Sequence, residues 1–136
     1  MNITFLTETT LERETSGATP VQDLLGNTGP LRLTLAVTAI GNTYSPPGPG
    51  LRRGRTVLEV SVEDSPDGVS GWKTLHTFRD HTYPDGDPGI GEQLAVTGSF
   101  QPHVRARYHL RSLTGGGNPT ATIAITGTAP TAAAEE

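Results

Sequence analysis

The stretch LEVSVEDSPDGVSGWKTLHTF, Leu58 to Phe78, holds two strand patterns and the turn between them. Leu58, Val60 and Val62 alternate with Glu59, Ser61 and Glu63, the period of two that turns one face of a strand inward. Ser65, Pro66, Asp67 and Gly68 follow. Those residue types occupy the first to fourth positions of a type I turn. The chain then passes Trp72 and returns as WKTLHTF, with Leu75 and Phe78 as further apolar residues. The alternation of this return is imperfect, which predicts a bulge or a strand end. The expectation is a hairpin, with Trp72 in the core beside the turn.

Other segments repeat the pattern. In LRLTLAVTAI, Leu31, Leu33, Leu35, Val37 and Ala39 fall on one face and Arg32, Thr34, Ala36 and Thr38 on the other. In VRARYHLRSL, Val104, Ala106, Tyr108 and Leu110 alternate with Arg105, Arg107, His109 and Arg111. QLAVTGSF and TATIAITGTA read as further strands. Between them lie GNTYSPPGPGLRRGR, RDHTYPDGDPGIGE and GGGNP, whose prolines cannot donate ladder hydrogen bonds and whose glycines loosen the backbone. VQDLLGN could form one helical turn before Gly26-Asn27 ends it. About seven or eight strands separated by turn signals predict an all-β, antiparallel, jelly-roll-like sandwich. The expected organisation is an N-terminal arm and linker over 1–20, a sandwich over 21–129 and a frayed tail over 130–136.

Composition agrees with a single domain of 136 residues. Hydrophobic residues make up 33% and aromatic ones 5%, so a small aliphatic core is expected. The 17 glycines and 11 prolines follow no fixed period and act as punctuation between short strands. A formal net charge of −4 gives no basic excess for a nucleic acid. With no cysteine, neither disulfides nor thiolate metal sites are available. No apolar run reaches the roughly 20 residues of a membrane helix, so no membrane partner is expected. MNITFLTETT lacks the basic start and apolar centre of a secretory signal.

Catalytic patterns fare poorly. Glu63, Asp64 and Asp67 are close in sequence, but they flank a turn where solvent should keep all three ionised, unlike a carboxylate pair with split pKa values. Asp67 has the simpler task of accepting nearby backbone N–H groups. Asp85, Asp87 and Glu92 could offer oxygens to calcium, yet Pro88 breaks the EF-hand pattern. His76, His81, His103 and His109 lack zinc spacing. No Gly-x-Ser-x-Gly elbow is present. The expectation is a binding or structural protein, not an enzyme, with no cofactor and no metal. Arg52, Arg53 and Arg55 with Arg105, Arg107 and Arg111 could form a basic patch. Arginine also suits protein interfaces.

Two resemblances bear on function. SPDGVSGW and PHVRARY resemble discoidin-type jelly-roll domains, over about Leu58 to Tyr108, though the usual cysteine pair is absent. That resemblance implies carbohydrate or lipid binding through loops at one end. From about Gly17 to Ala129 the order of a polar N-terminal segment, LRLTLAVTAI, LEVSVEDSPDG…W, VRARYHL and TIAITGTA resembles small β-sandwich virion proteins of tailed bacteriophages. That resemblance implies a capsid decoration protein on the outer surface of the virion, made in the host cytoplasm and partnered by the major capsid protein. A tail or head–tail junction component is the nearest variant. Symmetric self-association, a trimer for instance, would suit local three-fold points of a shell.

On this view the contact residues are Ile3, Phe5 and Leu6 of the arm, then Tyr44, Pro46, Pro47, Arg52, Arg53 and Arg55, and finally Tyr83 and Pro84. The arm would add a strand to an exposed edge elsewhere, and its removal should leave the sandwich folded. Stiff proline-rich loops lose little entropy on binding. Ser65, Pro66, Asp67, Gly68 and Trp72 are assigned to the turn and core. A glycan partner belongs to the discoidin-like alternative, with Tyr44 and Tyr83 as aromatic platforms.

Overall fold

The computed structural model describes residues 2–25, 29–43, 55–84, 89–113 and 118–130. Ten strands account for most of them: β1 Asn2–Leu11, β2 Thr15–Ala18, β3 Gln22–Asp23, β4 Leu31–Asn42, β5 Thr56–Ser65, β6 Lys73–Thr77, β7 His81–Tyr83, β8 Gly91–Thr97, β9 His103–Ser112 and β10 Pro119–Thr128. The first sheet has the order β1-β10-β4-β8. The second has the order β2-β9-β5-β6, with β3 also paired to β9 and β7 also paired to β5. All pairings are antiparallel. With β2/β3 and β6/β7 each taken as one interrupted strand, the first strand pairs with the last, the second with the next to last, and so inward to the β5–β6 hairpin. That nesting is the jelly-roll arrangement expected from the sequence.

The core lies between the sheets. Leu31, Leu33, Leu35 and Val37 of β4 meet Leu58, Val60 and Val62 of β5, with Val104, Ala106 and Leu110 of β9 and Ile123 and Ile125 of β10. The alternation holds wherever the register is unbroken. On β4 it fails at one place. Val37 faces Ile123 and Ala39 faces Thr122, so Thr38 is an extra residue in the ladder. Such a bulge reverses every side chain beyond it. Ala39 is therefore exposed, and Ile40 packs on the core instead.

The N-terminal segment departs most from expectation. β1 is an edge strand of the first sheet, paired with β10 from Asn2↔Thr128 to Leu11↔Ala121. Ile3 and Phe5 are 3% and 2% exposed, buried in the chain's own core, and Leu6 is half-buried against it. They do not form a free arm. The cause is the strand's own alternation: an apolar face next to an open sheet is buried most cheaply on that sheet. Gly127 fits this packing. A side chain there would come within 2.9 Å of the Arg32 carbonyl and 3.3 Å of the Phe5 ring, so the ring occupies the space above a bare backbone. Residues 15–18, expected in an irregular linker, form β2 and pair with β9. β1 and β2 thus belong to the same sandwich as the later strands, and residue 20 does not part an arm from it. The segment from Val21 is not helical; Gln22 and Asp23 pair with β9, and Leu24 is fully buried.

Candidate functional site

The β5–β6 connection is built as a turn. Ser65 Oγ accepts the N–H groups of Asp67 (3.3 Å) and Gly68 (2.9 Å). Asp67 Oδ1 accepts those of Val69 (2.8 Å) and Ser70 (2.9 Å). Gly68 has a φ of 78°, a conformation most side chains avoid. The Ser70 and Val69 amides hold the Asp67 carboxyl down to about 2. Pro66 stands exposed between them.

The three acids of this region are not brought together. Glu63 and Asp64 are neighbours on a strand, so they point to opposite faces. Both are buried, at 8% and 5% exposure, which corrects the expectation that they flank a solvated turn. Asp64 Oδ2 accepts the Gln101 N–H at 2.7 Å and ties the β8–β9 connection to β5. Glu63 Oε1 lies on the outer face and accepts from Arg105 Nε at 2.6 Å.

Trp72 is on that outer face too. The Arg105 guanidinium carbon sits 3.9 Å from its ring centroid, and the indole is half-buried outside the core. The expectation of a core tryptophan is corrected by a bulge. The β5–β6 register slips between Val62 and Glu63, which leaves Leu75 unmatched and puts Trp72 on the side opposite Phe78.

The rest of the outer face is charge-matched. Glu59 stands opposite His109, Ser61 opposite Arg107 and Glu63 opposite Arg105. Glu59 Oε1 lies 3.5 Å from His109 Nδ1 and 2.9 Å from Arg111 Nε, although the latter pair is not aligned as a hydrogen bond. Arg107 lies 4.0 Å from Glu63. The arginine row of β9 is thus interleaved with acids and is not a basic patch. A groove of about 400 Å³ crosses this face, bordered by Ser16, Glu59, Ser61, Thr77, Asp80 and Arg107. Burial, and next the Glu59 charge, raise the Asp80 pKa.

The opposite outer face differs. A groove of about 330 Å³ runs over β4, β8 and β10, bordered by Arg32, Thr34, Leu94, Val96, Thr126 and Thr128. Leu94 and Val96 are 75% and 59% exposed. They lie on β8, an edge strand whose one described strand partner is β4.

The inner side of β8 carries a polar cluster. Gln93 Oε1 accepts the Arg79 N–H (3.0 Å), and its Nε2 donates to the Arg79 carbonyl (2.8 Å). Gln93 Nε2 also lies 2.8 Å from His81 Nε2, while His81 Nδ1 lies 2.7 Å from the Gly89 carbonyl. One assignment satisfies all of these: Nδ1–H donates to Gly89, and bare Nε2 accepts from Gln93. His81 is fully buried, and that burial lowers its pKa.

The remaining expected contact residues are scattered. Arg55 is exposed, and its carbonyl accepts the Leu113 N–H at 2.9 Å. Tyr83 and Pro84 are half-buried at the end of β7. Tyr44, Pro46, Pro47, Arg52 and Arg53 lie outside the described residues, as do Asp85 and Asp87. Among the described residues no three His, Asp or Glu side chains converge as metal ligands. Leu94, Val96 and the Gln93–His81 pair were not singled out in the sequence. Exposed apolar residues on QLAVTGSF follow from its alternation, but which face meets the core needs the register.

The fold and these surfaces define the class: a jelly-roll sandwich with one charge-matched face and one edge strand, β8, that carries exposed apolar residues and pairs with β4 alone among the described strands. No protein-family model matches the chain, and no curated protein matches it.

Proposed function

We propose that this chain is a structural protein of a tailed-phage virion, a decoration protein bound to the outer surface of the major capsid shell. The observation that carries a protein-docking role is the β8 edge. Leu94 and Val96 stand exposed beside backbone groups that no described strand pairs. An apolar strip on an open edge favours contact with another protein strand and is a liability otherwise. The likeness of strand order to small virion sandwiches supplies the setting. The test is to mix purified protein with capsids that lack it. Co-sedimentation at a fixed stoichiometry supports the role; failure to bind overturns it.

A second reading rests on the groove over the other sheet. Its carboxylates, hydroxyls and guanidinium could meet the hydroxyl groups of a glycan. The expected aromatic Tyr83 is half-buried on β7, and the Trp72 ring in the β5–β6 connection carries the Arg105 guanidinium over it. Retention on a glycan array, lost with Asp80→Ala, together with no capsid binding would place this reading first.

A further inference from the structure

We propose that β8 pairs with β8 of a second copy of this chain, joining two four-stranded sheets into one across a two-fold axis at Ala95. This rests on the protein-docking role of β8 and names the partner.

The four edges of the sandwich are not alike. β1 slips register twice, between Thr4 and Leu6 and between Leu6 and Thr9. The β2/β3 edge is split into pieces of four and two residues. The β6/β7 edge is split into five and three, with a bulge and Lys73. Short strands, bulges and lysines are the means by which sheets prevent edge pairing. β8 has none of them. Its seven residues pair with β4 without a slip, from Leu31↔Thr97 to Val37↔Gly91. It carries no proline and no basic residue, and Glu92 is its one charge.

The sequence of β8 also suits itself. A two-fold axis perpendicular to the sheet keeps outer residues outer, so facing residues must share parity. With Ala95 opposite Ala95 of the second copy, Leu94 faces Val96 at both ends of the contact. Four exposed apolar side chains then cover one another. With Leu94 opposite Leu94, Val96 would instead meet Glu92. The first register moves Glu92 clear of the apolar strip, opposite Gly98 of the other copy. Gly98, which would face Glu92, has open space where a side chain would be. This self-matching of Leu94 and Val96 on an otherwise unprotected edge favours a second copy over an unlike strand.

The full chain in analytical ultracentrifugation should sediment as a dimer. Leu94→Lys with Val96→Lys places like charges opposite each other twice and should raise the dimer dissociation constant roughly tenfold or more. Leu94→Lys with Val96→Glu places lysine opposite glutamate twice and should dimerise better than the double lysine variant. Circular dichroism melts check that both variants fold, as exposed positions allow. A wild-type monomer or trimer overturns the proposal, as does a dimer indifferent to the double lysine change. Equal weakening by both variants overturns the Ala95-centred register. The capsid mixture separates this idea from the virion role. A dimer that ignores capsids keeps the pairing and removes the virion role; a monomer that binds them does the reverse.

Discussion

The first sheet has two edges, and they are finished in opposite ways. At β1 the apolar residues point inward: Ile3 and Phe5 are buried, and the outer residues are mostly threonine and asparagine. At β8 the exposed residues are Leu94 and Val96, while the inner side carries Gln93, hydrogen-bonded to Arg79 and His81. β1 is held by hydrophobic burial and β8 by a polar latch to β7 of the other sheet. The same four-stranded sheet therefore has one edge that stabilises the domain through buried apolar residues and one edge that, among the described strands, meets only β4.

The largest break in this comparison should come at β1. Phe5→Ala removes a ring that is 2% exposed and fills the space over Gly127. The expected loss is about 3–5 kcal/mol of unfolding free energy, as for other large-to-small core changes. Urea titration of the full chain measures it. A loss below about 1 kcal/mol would mean that β1 contributes little to the core and could act as a detachable arm after all.

Much of the jelly roll was legible in the sequence, because most strands keep a strict alternation and the turns carry Gly and Pro. Leu31 to Val37, Leu58 to Val62 and Val104 to Leu110 read correctly for that reason. The failures have physical causes. Two bulges, at Thr38 and opposite Val62–Glu63, reverse a face without changing composition, and they account for Ala39, Ile40 and Trp72. β1 resembles a free arm in the sequence because its partner β10 lies at the far end of the chain; pairing between first and last strands leaves no local trace. The candidate surface was harder still. Gln93, Arg79 and His81 meet only because the nested pairing brings the β7 and β8 edges together across the sandwich.

The latch gives a pH effect of intermediate size. His81 is neutral in the folded protein, since Nε2 accepts from Gln93 and burial disfavours the charge. The hydrogen bond to the Gly89 carbonyl and, more weakly, Asp80 favour the charge, and Arg79 opposes it, but burial outweighs them. The folded-state pKa therefore lies below the ordinary histidine value of about 6.5. Between those two values the unfolded chain binds more protons, so stability falls as the pH falls. The contribution is complete above about pH 6.5 and is lost progressively as the pH drops toward the lowered value. Melting temperature measured from neutral to about pH 5 should decline, and His81→Phe should flatten that part of the profile. Hydrogen exchange should quicken in β8 before β1. Equal acceleration at both edges would deny that the latch is local.

The smallest effect on stability is expected where the effect on association is greatest. Leu94 and Val96 lie on the solvent side of β8, and Ala95 between them is the residue that reaches the core. Truncating both to alanine removes apolar surface that is already mostly in water, so folding gains or loses little. Exposed substitutions of this kind stay within about 0.5 kcal/mol each. The isolated domain should keep its urea midpoint, measured at a concentration low enough to suppress association. At high concentration the wild type should be the more stable of the two, because pairing acts on the folded state alone. A loss above about 1 kcal/mol at the dilute limit would show that the strip packs on its own chain. The contrast with β1 would then disappear, because both edges would be serving the same core.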